Sequence, residues 1–230
     1  MLHYIIISVL AVLFGQIVGH LNKKLPPVVA EEITYKEFFS TLFKDFKLDF
    51  LYTGIFLVLF NLMVYFLGGS YLIYLYTIVC VALAITFSVD FRYQLIPDEV
   101  HILLAIVGVV NFLFNLTLKG LLNQILGAVI GGGIFFLISL LSLLILKKEG
   151  MGFGDVKLMA AAGFVLGWKA VIVSLFFGAF AGVIFAIGRK IVSKKEMRGI
   201  IPFGPFLAIG VGLCAFVGEV IFNWYLNMFI

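Results

Sequence analysis

Charged residues are scarce in this chain. Asp, Glu, Lys and Arg together make up only 12% of its 230 residues, whereas 63% are hydrophobic, and the mean hydropathy is +1.21. A soluble domain of this length cannot bury so much apolar surface, so the composition excludes a water-soluble globular protein. It predicts instead a polytopic membrane protein that lies in a lipid bilayer.

Residues that commonly bind metals are also few. Cysteine occurs only at Cys80 and Cys214, and the three histidines are scattered along the chain. Because there is no CxxC pair and no close His spacing, the usual zinc and redox motifs are excluded. We therefore expect two packed free thiols and no metal site.

Apolar runs indicate how the chain is organised. Seven runs are long enough to span, or nearly span, a bilayer: 2–19, 51–67, 71–89, 99–118, 121–146, 169–188 and 201–228. An eighth run, 156–167, would cover about 18 Å as a helix and is short of the ~30 Å hydrocarbon core. Together they predict an all-α polytopic membrane protein with about eight transmembrane helices.

We divide the chain into two regions. Residues 1–50 hold the first helix and a short loop from residue 20, and residues 51–230 form a membrane-embedded unit. Within the loop, residues 35–50 place Phe38, Phe39 and Phe46 on one helical face with charged residues on the other. This pattern predicts an amphipathic helix that lies in the membrane interface.

The distribution of basic residues predicts the orientation. With eight crossings, one set of loops (20–50, 90–98, 147–155 and 189–200) holds thirteen Lys and Arg residues, and the opposite set holds only Lys119 and Lys169. Loops rich in Lys and Arg stay in the cytoplasm. We therefore expect both termini on the extracytoplasmic side, and Asp90, Asp98 and Asp155 at the cytoplasmic side.

Asp155 is the first candidate for chemistry, because it follows a Gly-x-Gly turn and opens an apolar segment. A carboxylate within a membrane helix costs about 2.5–3.5 kcal/mol at the bilayer centre, so such a residue is a functional candidate. The alternative is that Asp155 caps the helix that follows. Gly152 and Gly154 have a chemical interpretation as well, since glycines let the backbone approach a bound peptide closely.

Asp90 is the second candidate. It ends an apolar run, and a carboxylate is disfavoured at a helix C-terminus, so capping does not explain it. Pro97 then turns the chain, and we expect Asp98 to cap the next helix. The simplest interpretation of Lys157 is a lysine that extends to the membrane interface.

Two motifs resemble those of type IV prepilin peptidases, the GxGD aspartyl proteases of bacterial membranes. The first is D-x6-PD, made by Asp90, Pro97 and Asp98, and the second is GMGFGDVKLMAAAGFVLGW over residues 150–168. The later IPFGPFLAIG over residues 201–210 is similar to the last-helix motif of the family. The resemblance covers most of residues 75–212.

The resemblance implies an activity and its residues. Asp90 and Asp155 would be the catalytic pair, with Gly152, Gly154, Pro97, Asp98 and Lys157 as supporting or substrate-binding residues. The substrates would be prepilins or pseudopilins, whose short basic leader is removed at the cytoplasmic face of the bacterial inner membrane. Proteolysis would need no cofactor, and we expect the lipid bilayer but no nucleic acid as a partner.

The first loop departs from the family pattern. Many members carry four zinc-binding cysteines there and methylate the new N-terminus with S-adenosylmethionine, whereas this loop has no cysteine. The Asn that the family has before the loop is also missing. We therefore expect an intact peptidase with weak or absent methyltransferase activity, and S-adenosylmethionine as a cofactor only if methylation is retained.

Two other functions stay open from the residues alone. Intramembrane acids also mark ion pathways, so one alternative is a proton-coupled transporter. The other is a pilus-assembly scaffold without catalytic activity. The chain shows no repeated halves, which transporters with midplane sites often have, and it contains both acids. Both observations favour the peptidase.

Overall fold

The computed structural model describes residues 2–29, 49–68, 70–147, 152–193 and 202–229. Within these ranges the chain forms eight α-helices and no strand, which confirms the predicted all-α fold. The helices are α1 (Leu2–Val29), α2 (Phe50–Leu67), α3 (Leu72–Tyr93), α4 (Asp98–Asn115), α5 (Leu118–Leu146), α6 (Phe153–Leu166), α7 (Trp168–Ser193) and α8 (Gly204–Asn227). Most of the predicted amphipathic segment, residues 35–48, lies outside the described residues.

Seven of the eight helices are long and apolar enough to cross a bilayer, and the chain is an integral membrane protein. The exception is α6, which has 14 residues and a length of about 21 Å. Its shortness agrees with the sequence prediction. Hydrogen bonds at its C-terminal end show that it nevertheless runs through the bundle.

The end of α6 lies beside the end of α4 and the start of α5. Asn111 of α4 donates a hydrogen bond to the carbonyl oxygen of Val165 at 3.2 Å. The backbone amide of Trp168, just beyond α6, donates to Oδ1 of Asn123 at 3.3 Å. Since α6 begins at the end of the bundle where α3 stops, it connects two opposite faces. We call the end with the start of α6 the site face and the other end the far face.

The first helix begins, and the last helix ends, at the same face of the bundle. His3, near the start of α1, lies 3.3 Å from the hydroxyl of Tyr74 at the start of α3. Asn223, near the end of α8, accepts a hydrogen bond from Lys169 at the start of α7 at 3.0 Å. Both contacts lie at the far face, so the helix directions are those of the predicted eight-helix arrangement.

Several helix ends differ from the prediction, and those of α1 and α3 are two examples. The helix α1 continues to Val29, so the prediction of a loop from residue 20 is wrong, although the candidate span ends at Leu21. Likewise, α3 continues past residue 89 to Tyr93, and Asp90 lies in its last turn. In both cases backbone hydrogen bonding continues beyond the point where the apolar residues stop.

The core centres on α3 and α8. About 67% of the α3 span and 56% of the α8 span are buried, against 17% for α5. Small residues bring the other helices close. A Cβ at Gly163 of α6 would overlap the backbone of Gly127 on α5, and a Cβ at Gly131 would overlap the carbonyl of Met159. These glycines allow direct backbone contact, as is common in membrane bundles, and they fix the helix that carries Asp155.

Candidate active site

Asp90 is buried at the site face. Only 5% of the residue is exposed, and its Oδ2 atom has no hydrogen-bond partner of standard geometry among the described residues, although the backbone N–H of Gly204 faces the carboxyl group. A buried polar atom without a partner is costly and therefore marks a strained or functional position. Such an oxygen is available for a bound water or substrate group.

Gly204, the first residue of α8, lies against Asp90. A Cβ added at Gly204 would be 2.6 Å from Oδ2 of Asp90 and 2.9 Å from its Cγ. No side chain fits between them, so the backbone of α8 packs directly on the carboxyl group. In the sequence, Gly204 belongs to the IPFGPFLAIG motif of residues 201–210, but no sequence signal identifies its contact with Asp90.

Asp155 lies in the first turn of α6 and is 8% exposed. The alternative that it caps this helix is wrong, because Gly152 occupies the N-cap position and Asp155 is the third helical residue. The backbone amide of Asp155 donates a hydrogen bond to the carbonyl of Gly152 at 3.1 Å. The tight glycine turn therefore holds the acid inside the helix, with its side chain buried.

The structure brings the two acids together. The side chain of Ile96 lies beside the glycines next to both acids, Gly154 before Asp155 and Gly204 against Asp90. A Cβ at Gly154 would be 3.4 Å from Cβ of Ile96, and a Cβ at Gly204 would be 3.2 Å from its Cδ1. No sequence signal identifies Ile96 in this place, since it is an ordinary apolar residue before a proline.

The prediction that Asp98 caps α4 is wrong. Pro97 occupies the N-cap position with φ of −62°, and no side chain makes a capping hydrogen bond. Oδ1 of Asp98 instead accepts a hydrogen bond from Nζ of Lys157 at 2.9 Å and lies 3.2 Å from Nδ1 of His101. Opposite charges on neighbouring helices therefore decide where this side chain points.

Lys157 does more than extend to the membrane interface, because its side chain makes specific contacts with other residues. Besides its ion pair with Asp98, its ammonium lies 5.6 Å from the centroid of the Phe153 ring. His101, which completes the cluster, is 8% exposed. The cluster of Asp98, His101 and Lys157 joins the start of α4 to the start of α6. Lys157 is two residues beyond Asp155 in the chain.

The cysteines lie apart from this chemistry. Cys80 and Cys214 are buried free thiols, as predicted. Among the ranges that the structure describes, no group of three His, Cys, Asp or Glu side chains is gathered as a metal site. At the site face, two buried carboxyl groups lie near each other, and such groups can exchange protons with a bound water or substrate.

The chain is similar to proteins of one known family. The sequence model of the type IV leader peptidase family matches residues 77–187, a stretch that contains both Asp90 and Asp155. A prepilin leader peptidase/N-methyltransferase of Aeromonas salmonicida is 37% identical over 150 residues, which cover 64% of this chain and 50% of the relative. The protein of that name from Escherichia coli K12 is 36% identical over 122 residues, or 53% of each chain.

The chain spans about half the length of the curated relatives that it matches. No solved structure matches it.

Proposed function

We propose that this chain, whose residues 77–187 belong to the type IV leader peptidase family, is an aspartic endopeptidase that removes the leader of prepilin-like membrane proteins. The observation that supports this most is the position of Asp90 and Asp155. The two carboxyl groups lie on different helices, are both buried, and interact at one end of the bundle.

The chemistry follows from two neighbouring carboxyl groups. Like charges at short range disfavour a doubly ionised pair, so the pair shares one proton and titrates as a unit. The ionised member takes a proton from water, which attacks the scissile carbonyl carbon. The protonated member donates to the carbonyl oxygen, and the tetrahedral intermediate then collapses when the leaving amine receives a proton.

The surrounding backbone supports an extended substrate. Gly152 and Gly154 lead into α6, and Gly204 begins α8 against Asp90. Because Gly152 and Gly154 carry no side chain, a peptide can approach the turn before Asp155 closely, whereas Gly204 packs on Asp90 and sets its position. We assign Gly152 and Gly154 to substrate binding and Pro97, Asp98 and Lys157 to support of the site.

The location of the reaction follows from charge. The helices that end at the site face lead into the sequence segments rich in Lys and Arg, so we place this face in the cytoplasm and the chain in the cytoplasmic membrane of a bacterium. These segments hold ten Asp and Glu residues beside their thirteen Lys and Arg residues, so their net charge offers a basic leader little attraction. We therefore assign substrate binding mainly to apolar contacts within the membrane.

Methylation is not part of this proposal. The relatives are named as N-methyltransferases as well, but S-adenosylmethionine carries polar amino-acid and adenine groups. An apolar cavity between α2, α3 and α8 offers such groups one hydroxyl, that of Tyr52. We assign no residue to this cofactor, and we expect weak or absent methyltransferase activity because the first loop lacks the zinc-binding cysteines of many family members.

A cleavage assay tests the proposal. The purified chain in lipid nanodiscs is mixed with a prepilin-like substrate, and both products are identified by mass. We expect one cut between the basic leader and the apolar segment. An intact substrate would contradict the peptidase, and proton flux through the chain in liposomes would then support a transporter.

A further inference from the structure

An apolar groove lies between α2, α3 and α8. It has a volume of about 390 Å³. Its floor contains the buried side chains of Phe56, Leu83 and Ala208, and its rim contains the exposed side chains of Ile55, Ile209 and Leu213. The groove is therefore open along the side of the bundle, where lipid surrounds a membrane protein.

The groove offers almost nothing to a polar ligand. Tyr52 contributes the single hydroxyl among its lining side chains, and that hydroxyl already lies 2.7 Å from Oγ of Ser88. A water-soluble peptide would lose hydrogen bonds to water in this groove without replacing them. An apolar segment that is already in the membrane loses none.

One end of the groove lies next to the candidate site. Phe87 lines the groove and precedes Asp90 on α3 by three residues, which is about 4.5 Å along a helix. Ala208 lines it four residues after Gly204 on α8, about 6 Å along that helix. On α3 the groove then continues away from the site to Cys80, about 10 Å deeper.

We propose that this groove holds the apolar membrane helix of the substrate, through the first two turns beyond the bond that is cut. The proposal rests on the proposed function, because it takes Asp90 and Asp155 as the cleavage site. A helix in the groove begins within one turn of Asp90 and runs down into the bilayer. Its apolar side chains give the affinity, and its position along the groove selects which peptide bond reaches the acids.

Two glycines provide a matched pair of variants. A Cβ at Gly212, which lines the groove, would meet Leu83 Cδ1 at 3.6 Å, an ordinary contact, so the backbone accepts a side chain here and Gly212→Leu takes up space in the groove. Gly54 on α2 lies outside the groove lining, and a Cβ there meets nothing within 4 Å. Gly54→Leu therefore adds the same side chain to the bundle and leaves the groove open.

Kinetics with two substrates test the groove. For a substrate with its membrane helix, we expect Gly212→Leu to raise KM about tenfold, the effect of losing about 1.4 kcal/mol of packing, and Gly54→Leu to match the wild type. For a short peptide that ends two or three residues beyond the scissile bond, too short to fill the groove, all three proteins should cleave at the same rate. Equal KM values for the membrane substrate would overturn the proposal.

Cross-linking gives a readout that does not depend on cleavage. A photoreactive residue at Ile209 should cross-link to the substrate helix, and one at the lipid-exposed Val129 of α5 should not. Cross-links from Ile209 only to lipid, or only to a second copy of this chain, would overturn the groove. If the proposed function itself is wrong, the wild type cleaves neither substrate, whereas a wrong groove leaves wild-type cleavage intact.

Discussion

At the scale of single residues, the site depends on the contact between Gly204 and Asp90, which leaves no room for a side chain at position 204. Gly204 lies directly against Asp90, and the nearest atom to a built Cβ is the carboxylate oxygen Oδ2 at 2.6 Å. Since real Cβ atoms essentially never approach so closely, any larger residue must move the carboxyl group or the start of α8. Both movements would change the distance between the two acids.

Gly204→Ala should therefore lower the cleavage rate strongly while the protein still folds. A displacement of about 1 Å at a reacting group costs about a hundredfold in rate. Initial rates with a prepilin-like substrate measure the effect, and the elution profile in detergent reports folding. Gly188→Ala is the control, because a Cβ there meets nothing within 4 Å. Equal rates for Gly204→Ala and the wild type would show that this contact does not set the geometry.

The sequence identified the acids but not their neighbours. Asp90 and Asp155 stand out because a carboxylate is expensive in an apolar segment. Gly204 is one of 24 glycines, and its contact joins residues more than a hundred positions apart. A pairing of that kind depends on how α3 and α8 pack, which local patterns do not encode. The catalytic roles of the two acids stay predictions.

At the scale of helices, the ion pair of Asp98 and Lys157 links α4 to α6. The side chains are 71% and 44% exposed, so water screens the pair, and its contribution to stability is small. The pair is thus too weak to hold the fold together. It is placed to hold the start of α6, and hence Asp155, in register with the turn before α4.

Lys157→Met should lower the cleavage rate about two- to fivefold, the range that corresponds to an exposed ion pair. Asp98→Asn should have a similar small effect and keep substantial activity, and the double variant should be no worse than either single variant. Lys157→Arg keeps the charge and is the control. Fully additive losses in the double variant would show that the two side chains act separately.

The helices themselves were largely predictable. Seven apolar runs and one short run correspond to the eight observed helices, because a span must be apolar throughout. Their ends were less predictable, as α1 and α3 show. An apolar run ends where lipid ends, whereas a helix ends where its backbone hydrogen bonds end, and Gln94 with φ of +55° marks that point for α3. The role of Asp98 was missed because its partner is 59 residues away.

At the scale of the whole molecule, the helix directions place both acids at one end of the bundle. The start of α1 and the end of α8 lie at the far face. The sequence predicted this arrangement by counting eight segments, and it holds because the short α6 still connects the two faces. The groove between α2, α3 and α8 could not be predicted, since it depends on the packing of three helices from distant parts of the chain.

Whether this protein also methylates its cleavage product is a question at the scale of the whole molecule. We expect little or no methylation of the mature substrate when this protein acts with S-adenosylmethionine, since the zinc-site cysteines of many family members are missing from the first loop. Mass spectrometry of the new terminal residue measures the methylated fraction. Complete methylation that requires both this protein and S-adenosylmethionine would contradict the expectation.

The most direct test of the account removes one carboxyl group at a time. Asp90→Asn and Asp155→Asn are nearly isosteric changes, so a loss of activity reports chemistry rather than packing. Acid–base catalysis contributes about 10²- to 10⁴-fold, and a shared-proton pair cannot work with one member. We predict that each purified variant inserts in the membrane but no longer cleaves the leader, while Asp98→Asn still does. Cleavage at the wild-type rate by either variant would contradict the two-aspartate mechanism.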